Sequence, residues 1–169
     1  MILISHRGNI NRIESSEENK PEYIQAALDA GYDVEIDVWN LAGKWFLGHD
    51  YPTYPIDMDF LINEKLLCHA KNLPALDLML KIDTHCFWHQ EDHYTLTNKG
   101  YILSYPGYST PGQNTICMKA EYHSLSSIKD CYAICSDYVE YYKDSSNEEG
   151  KESSEQNYYG KYASFDSTR

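Results

Sequence analysis

The sequence predicts an α/β fold, a reduced TIM-like (β/α) barrel with several outer helices short or missing. Short apolar runs bounded by turn residues alternate with helix-forming segments through the first half of the chain, as parallel strands joined by helical crossovers do. Several of those runs end in polar, titratable groups, and that is the end at which barrel enzymes gather their chemistry. The chain has 169 residues, whereas a full eight-fold barrel takes ~250, so outer elements must be lacking.

Taken in order, ILIS (2–5) is the first strand. Asn19-Lys20-Pro21 opens a helix, with Asn19 as N-cap and Pro21 in the first turn. Tyr23, Ala26, Ala27 and Ala30 form its apolar face, and Gly31 is suited to the position that ends it. YDVEIDVW (32–39) and KWFLGH (44–49) read as strands joined by a hairpin turn at LAGK (41–44). The span from Asp57 to Lys65 suggests a second helix, LLCHAK (66–71) a strand, and Leu73 to Lys81 a third helix with Leu76, Met79 and Leu80 inward. HCFWH (85–89), YILSY (101–105), TICMK (115–119) and YAICSD (132–137) are closer-spaced strands. SLSSIKD (124–130) leaves room for one or two helical turns.

From Lys143 the composition turns to Ser, Glu, Lys and Asn with almost no aliphatic residues. The expected organisation is a barrel over 1–142 and an acidic, Ser-rich tail over 143–169. That tail is too poor in apolar surface to offset its ordering entropy, and is expected to be disordered. A chain ending at Tyr142 should therefore keep its cooperative thermal transition.

The formal net charge of −12 argues against a nucleic-acid binder or a polybasic membrane-surface protein. It leaves room for a small anion, because a local cationic pocket or a metal reverses the sign of a site. No apolar run approaches the ~20 residues of a membrane span, and the N-terminus has no basic and apolar leader. The expectation is a cytoplasmic protein. The five cysteines form no CxxC pair and are expected as buried free thiols.

Alternation along the strands concentrates the chemistry. In DVEIDVW, Asp33, Glu35 and Asp37 share one face and Val34, Ile36 and Val38 the other. Outer helices need the valine face, so Glu35 and Asp37 point inward. Two buried carboxylates are costly unless paired, and a hard divalent cation satisfies both. In LLCHAK, Leu67, His69 and Lys71 share a face; in ILISHR, Ile2, Ile4 and His6 do. GHD at the end of KWFLGH adds His49.

In HRG (6–8), EN (18–19), AALDAGYDVEIDVW (26–39) and GHD (48–50) the chain resembles the glycerophosphodiester phosphodiesterases. ICSD (134–137) is similar to that family's late strand. The resemblance implies that His6 and His49 are the catalytic histidine pair. It implies that Arg7 and Lys71 contact the phosphate, and that Glu35 and Asp37 bind metal. His69 stands where a third metal carboxylate is expected, and EENKPE lacks the family's Pro before and Thr after its Glu-Asn pair. A histidine ligand leans towards transition metals. The expected cofactor is Mg²⁺, with Ca²⁺ or Mn²⁺ as alternatives.

The implied activity is metal-dependent hydrolysis of a glycerophosphodiester-like small molecule by His/His acid–base catalysis. Two alternatives stand beside it: a non-catalytic phosphoryl-ligand-binding module, and a metal-independent, phospholipase C-like phosphodiesterase. The sequence does not fix the oligomeric state. Of the remaining polar groups, His89 is expected near the pocket, and His85 and His93 on the surface. Their spacing along a strand is too wide for one ion. Trp88 and Tyr105 suit either the alcohol site or core and rim. Asp50 is suited to orienting His49, and Asp137 receives no role.

Overall fold

Ten strands form one curled sheet in the computed structural model, which describes residues 1–145. The elements run β1 (Ile2–His6), α1 (Pro21–Asp29), β2 (Asp33–Leu41), β3 (Lys44–Leu47), β4 (Tyr54–Ile56), β5 (Leu66–Ala70) and α2 (Leu73–Lys81). They continue with β6 (Cys86–Trp88), β7 (Tyr94–Leu96), β8 (Ile102–Ser104), β9 (Thr115–Met118), α3 (Leu125–Ile128), β10 (Ala133–Ser136) and α4 (Tyr141–Ser145). Seven strands in the order β6-β5-β2-β1-β10-β9-β8 are mutually parallel, and β7 closes the row as an antiparallel partner of β8. The β3–β4 hairpin continues from the end of β2. Ala42 and Gly43 turn that hairpin with φ of 50° and 81°, the left-handed pair that a two-residue hairpin requires.

The predicted alternation holds. Val34, Ile36 and Val38 pack outward with Leu66, Cys68 and Ala70 against Ile24 and Ala27 of α1 and Ala75 and Met79 of α2. A second outer layer joins Cys117 and Ile134 to Ile128 of α3 and Tyr142 of α4. The inward face holds Ile4, Leu67, Phe87, Leu103, Ile116, Met118, Ala133 and Cys135. Glu35 stands in register with His6 and Leu67, and Asp37 with His69. Directly opposed residues share a face, so the acids project inward above this apolar floor. All five cysteines are buried free thiols.

The sheet falls short of a full barrel, since no ladder joins β6 to β7 among the described residues. Side chains stitch that seam instead. Asn98 Oδ1 accepts from the Cys86 N–H at 2.9 Å, and the Asn98 N–H donates to the Cys86 carbonyl at 3.0 Å. Asn98 Nδ2 donates to the Thr84 carbonyl, and Thr95 Oγ1 to the Trp88 carbonyl, both at 2.8 Å. The Asn98 amide thus takes the place of a missing strand partner for Cys86. Replacing Asn98 by Ala orphans buried backbone groups, which costs about 1–3 kcal/mol. Denaturant unfolding should show that loss.

Several local expectations need correction. Lys20, not Asn19, precedes α1 as N-cap, and Asn19 is left-handed with φ of 63°. The buried face of α1 is Ile24 and Ala27, while Ala26 and Ala30 are exposed. Burying isoleucine removes more apolar area from water than burying alanine, and this sets the helix rotation. Leu80 faces solvent and Ala75 packs with Met79 in its place. The span 57–65 forms only a 3-10 turn (Met58–Ile62) that buries one residue, Leu61. Without a longer apolar face a helix there has little to hold it. At the C-terminal side, α4 extends past the expected boundary, and Tyr142 is 4% exposed. The truncation test therefore belongs after Ser145. The tail residues beyond it lie outside the described residues.

Candidate active site

The C-terminal ends of β1, β2, β5, β9 and β10 bring their polar residues together. His6 is buried, and its Nδ1 donates to Asp137 Oδ1 at 2.7 Å. That bond leaves Nε2 facing Glu35 Oε2 at 3.8 Å. Burial lowers the His6 pKa, against the opposing charge of Asp137. Asp137 is held well below the usual carboxylate range because His6 and Lys119 outweigh its burial. Lys119 Nζ donates to Asp137 Oδ2 at 2.7 Å.

Arg7 is left-handed, with φ of 55°, a strained state for a residue with a Cβ. Two backbone bonds clamp it there. Its N–H donates to the Glu35 carbonyl at 2.9 Å, and its carbonyl accepts from the Asn19 N–H at 3.1 Å. Gly8 continues the turn with φ of 94°, and a Cβ there would lie 2.5 Å from the Tyr23 ring. The Arg7 side chain is thereby aimed across the mouth. Its Nε lies 3.0 Å from Asp37 Oδ2, and its Nη1 donates to Glu18 Oε2 at 3.2 Å.

Asp37 has no exposed surface. Asn19 Nδ2 donates to Oδ2 at 2.9 Å, His69 Nδ1 lies 3.1 Å from Oδ1, and Lys71 Nζ lies 3.4 Å from Oδ1. Burial alone would raise its pKa; the neighbouring His69, Arg7 and Lys71 hold it well below the usual range. Glu35 is the counter-case. Its Oε2 is buried and accepts no hydrogen bond. Burial, reinforced by the negative charge of Asp37, pushes it up to about 8. Glu35, Asp37 and His69 each present a ligand atom within 4.8 Å of the others. The expected metal-ligand set is thus assembled in space.

His69 suits that set. Its Nε2 lies 3.2 Å from the His89 carbonyl and its ring stacks on Phe87 at 4.7 Å. A carbonyl on one ring nitrogen fixes the tautomer and turns the other towards a metal.

His49 is more loosely placed. Its side chain is 43% exposed and its Nδ1 lies 2.8 Å from Asp50 Oδ1, the partner expected from sequence. Burial, with the charges of Arg7 and Lys71, lowers its pKa. The turn before it is fixed: the Gly48 N–H donates to the Asp37 carbonyl at 3.1 Å, and its carbonyl accepts from Trp39 Nε1 at 2.6 Å. Gly48 has φ of 144°, and a Cβ there would meet the Tyr51 carbonyl oxygen at 2.1 Å. Gly48→Ala should cost about 1–3 kcal/mol and displace His49; thermal melts would record the first effect and loss of turnover the second.

Sequence reasoning missed Asn9 and Lys119, gave Asp137 no role, and took Asn19 for a helix cap. Asp137 shares the inward face of Cys135 in YAICSD, so the rule that found His6 and Lys71 reaches its position. Lys119 instead alternates with outward Cys117 in TICMK and enters the site only through its left-handed backbone, φ of 55°. Asn9 and Asn19 lie in the connection from β1 to α1 and carry no periodic signal. His85 is half-buried at the opposite end of the sheet, with Nε2 3.1 Å from Thr97 Oγ1, so the expectation of a surface group is corrected. It lines a cavity of about 80 Å³ with Ile2, Ile4 and Tyr132. His93 is exposed and stacks on Tyr108 at 3.9 Å. His89 stacks on Tyr105 at 4.0 Å, while Trp88 packs against the outer core layer, the core alternative of its two expected places.

Fold and site together define an α/β protein with a curled parallel sheet and an acid–histidine–cation mouth at its strand ends. No family model, curated protein or solved structure matches the chain. Among the described residues no helix is long and apolar enough to cross a membrane.

Proposed function

We propose that this protein is a metal-dependent phosphodiester hydrolase acting on a glycerophosphodiester-like small molecule. The observation that carries the proposal is the buried, unsatisfied Glu35 Oε2, set between His6 Nε2 and the Asp37–His69 pair. An uncompensated carboxylate at that depth is costly, and a cation repays it. Held by Glu35, Asp37 and His69, a divalent ion (Mg²⁺, or Mn²⁺ or Ca²⁺) supplies charge neutralisation at the non-bridging phosphate oxygens.

The remaining work belongs to the chain. Arg7 and Lys71 bind the phosphate as fixed cations on the two sides of Asp37. His6 gives its Nδ1 proton to Asp137 as a hydrogen bond, so Nε2 is free to take a proton from the attacking oxygen. A new P–O bond forms as the P–O bond to the alcohol breaks. His49, at the rim, donates a proton to that leaving oxygen. Burial and the charges of Arg7 and Lys71 lower the His49 pKa; a bound phosphate anion opposes those two charges and so favours the protonated form. The attacking oxygen is water, or a free hydroxyl of the substrate that closes a cyclic phosphate.

A metal-independent mechanism is favoured by one specific observation. Arg7, Asn19, His69 and Lys71 already occupy both oxygens of Asp37, so two side-chain cations stand where an ion would share that carboxylate. Phosphorus NMR of glycerophosphodiesters incubated with the protein separates the readings. The proposal expects product with Mg²⁺ or Mn²⁺ and none in EDTA. Equal turnover in EDTA selects the metal-independent reading, and phosphate binding without turnover selects a binding module.

A further inference from the structure

We infer that Asn9 is a positioning residue that couples the proton-handling end of the site, His6 with Asp137, to its phosphate-holding end, Arg7 with Glu18. The inference rests on the hydrolase reading above. Asn9 follows the turn that ends β1 and is wholly buried. Its N–H donates to the His6 carbonyl at 3.0 Å, and its carbonyl accepts from Ser5 Oγ at 2.8 Å. Its side-chain amide uses its full capacity. Nδ2 donates to Glu18 Oε1 and to Asp137 Oδ1, both at 2.9 Å. Oδ1 accepts from the Glu14 N–H at 3.1 Å and from the Tyr23 hydroxyl at 3.3 Å.

Both donated bonds end on carboxylates that hold a working group. Asp137 Oδ1 also accepts from His6 Nδ1 at 2.7 Å, and Glu18 Oε2 accepts from Arg7 Nη1 at 3.2 Å. One rigid, planar head therefore fixes two like-charged groups relative to each other. Asp in its place offers no donor and adds a third carboxylate between the other two. Gln carries the same head one methylene too far. With the amide gone, Glu18 turns its whole charge on Arg7 and competes with the incoming phosphate. Asp137 loses one of its fixing bonds, and the His6 ring loses alignment with the attacking oxygen.

The two arms separate in double-mutant cycles. Hydrolysis of a glycerophosphodiester by the metal-loaded full chain is measured with kcat and KM resolved, for Asn9→Ala alone and in Glu18→Gln and Asp137→Asn backgrounds. Asn9→Ala should lower kcat about 10-fold and raise KM about 5-fold, the size expected for losing hydrogen bonds to charged groups. In the Glu18→Gln background the KM rise should vanish while the kcat loss stays. In the Asp137→Asn background the kcat loss should vanish while the KM rise stays. Equal, additive losses in every background mark a merely structural residue and overturn the inference. If Asn9→Ala does not fold, Asn9→Ser, which adds no charge and is too short to bridge both carboxylates, takes its place with the same split expected, and wild-type kinetics in Asn9→Ser overturn the inference too. A wild-type chain that turns over no glycerophosphodiester brings down the hydrolase reading and this inference with it. A wild-type chain that turns over, without the split, brings down the inference alone.

Discussion

Replacing His6 by alanine should lower glycerophosphodiester turnover on the order of 10²–10⁴-fold, with little change in metal affinity. His6 is not one of the three clustered metal-ligand candidates, and its buried Nε2 is the nitrogen left free by Asp137. His49→Ala should lose rate on a similar scale, but by a different step. Removing the acid leaves the alkoxide to depart without a proton, so a substrate with an activated leaving group should partly rescue His49→Ala. The same substrate should not rescue His6→Ala, whose attacking oxygen still lacks a base. One histidine neutral and the other protonated in the working state gives a bell-shaped dependence of rate on pH. Near-full activity in both variants would remove the proposed pair.

The second large effect sets Glu35 against Asp37, two residues apart on one strand. Glu35→Gln should abolish metal binding yet stabilise the metal-free protein at pH 8. The sign follows from the proton balance. The Glu35 carboxyl is raised from 4.5 to about 8, so in the fold it keeps a proton that the unfolded chain has already lost. Its favourable contribution is complete below about pH 4.5 and is lost as pH rises through about 8. Chelator-treated wild type should therefore gain stability as pH falls from 8 towards 5. It should lose stability again at lower pH as the depressed Asp37 and Asp137 protonate. Glu35→Gln should flatten the first limb. Asp37→Ala behaves oppositely, because it removes the partner of Arg7, Asn19, His69 and Lys71 together. Breaking a buried pair by deleting one member costs about 3–5 kcal/mol, so this variant should melt early or fail to fold. Calorimetric scans across pH in EDTA would distinguish the two residues, and equal destabilisation would refute the assignment of Glu35 as the unsatisfied acid.

What was legible in the sequence was whatever alternation encodes. The period-two pattern of DVEIDVW separated Val34, Ile36 and Val38 from Glu35 and Asp37, and the sheet obeys it because one face must meet helices. His6, His69 and Lys71 followed from the same rule. What stayed hidden lies in loops or depends on long-range pairing. Asn19 looks like an N-cap because Pro21 follows it, but its amide bonds to Asp37 on another element. Asp137 had no sequence neighbour to pair with, since His6 lies at the other end of the chain and meets it only through the β1–β10 register. The missing outer helices were readable from length. The Asn98 stitching of the seam was not, because a side chain replacing a strand leaves no periodic trace.

Metal stoichiometry followed together with turnover tests the central claim most directly. Chelator-stripped protein is titrated with Mn²⁺ or Mg²⁺ while bound metal and glycerophosphodiester hydrolysis are recorded on the same samples. Activity should rise from background in proportion to bound metal and level off at one ion per chain, and Glu35→Gln should bind none and stay inactive. Full turnover by stripped wild type, with no metal bound, would contradict the account.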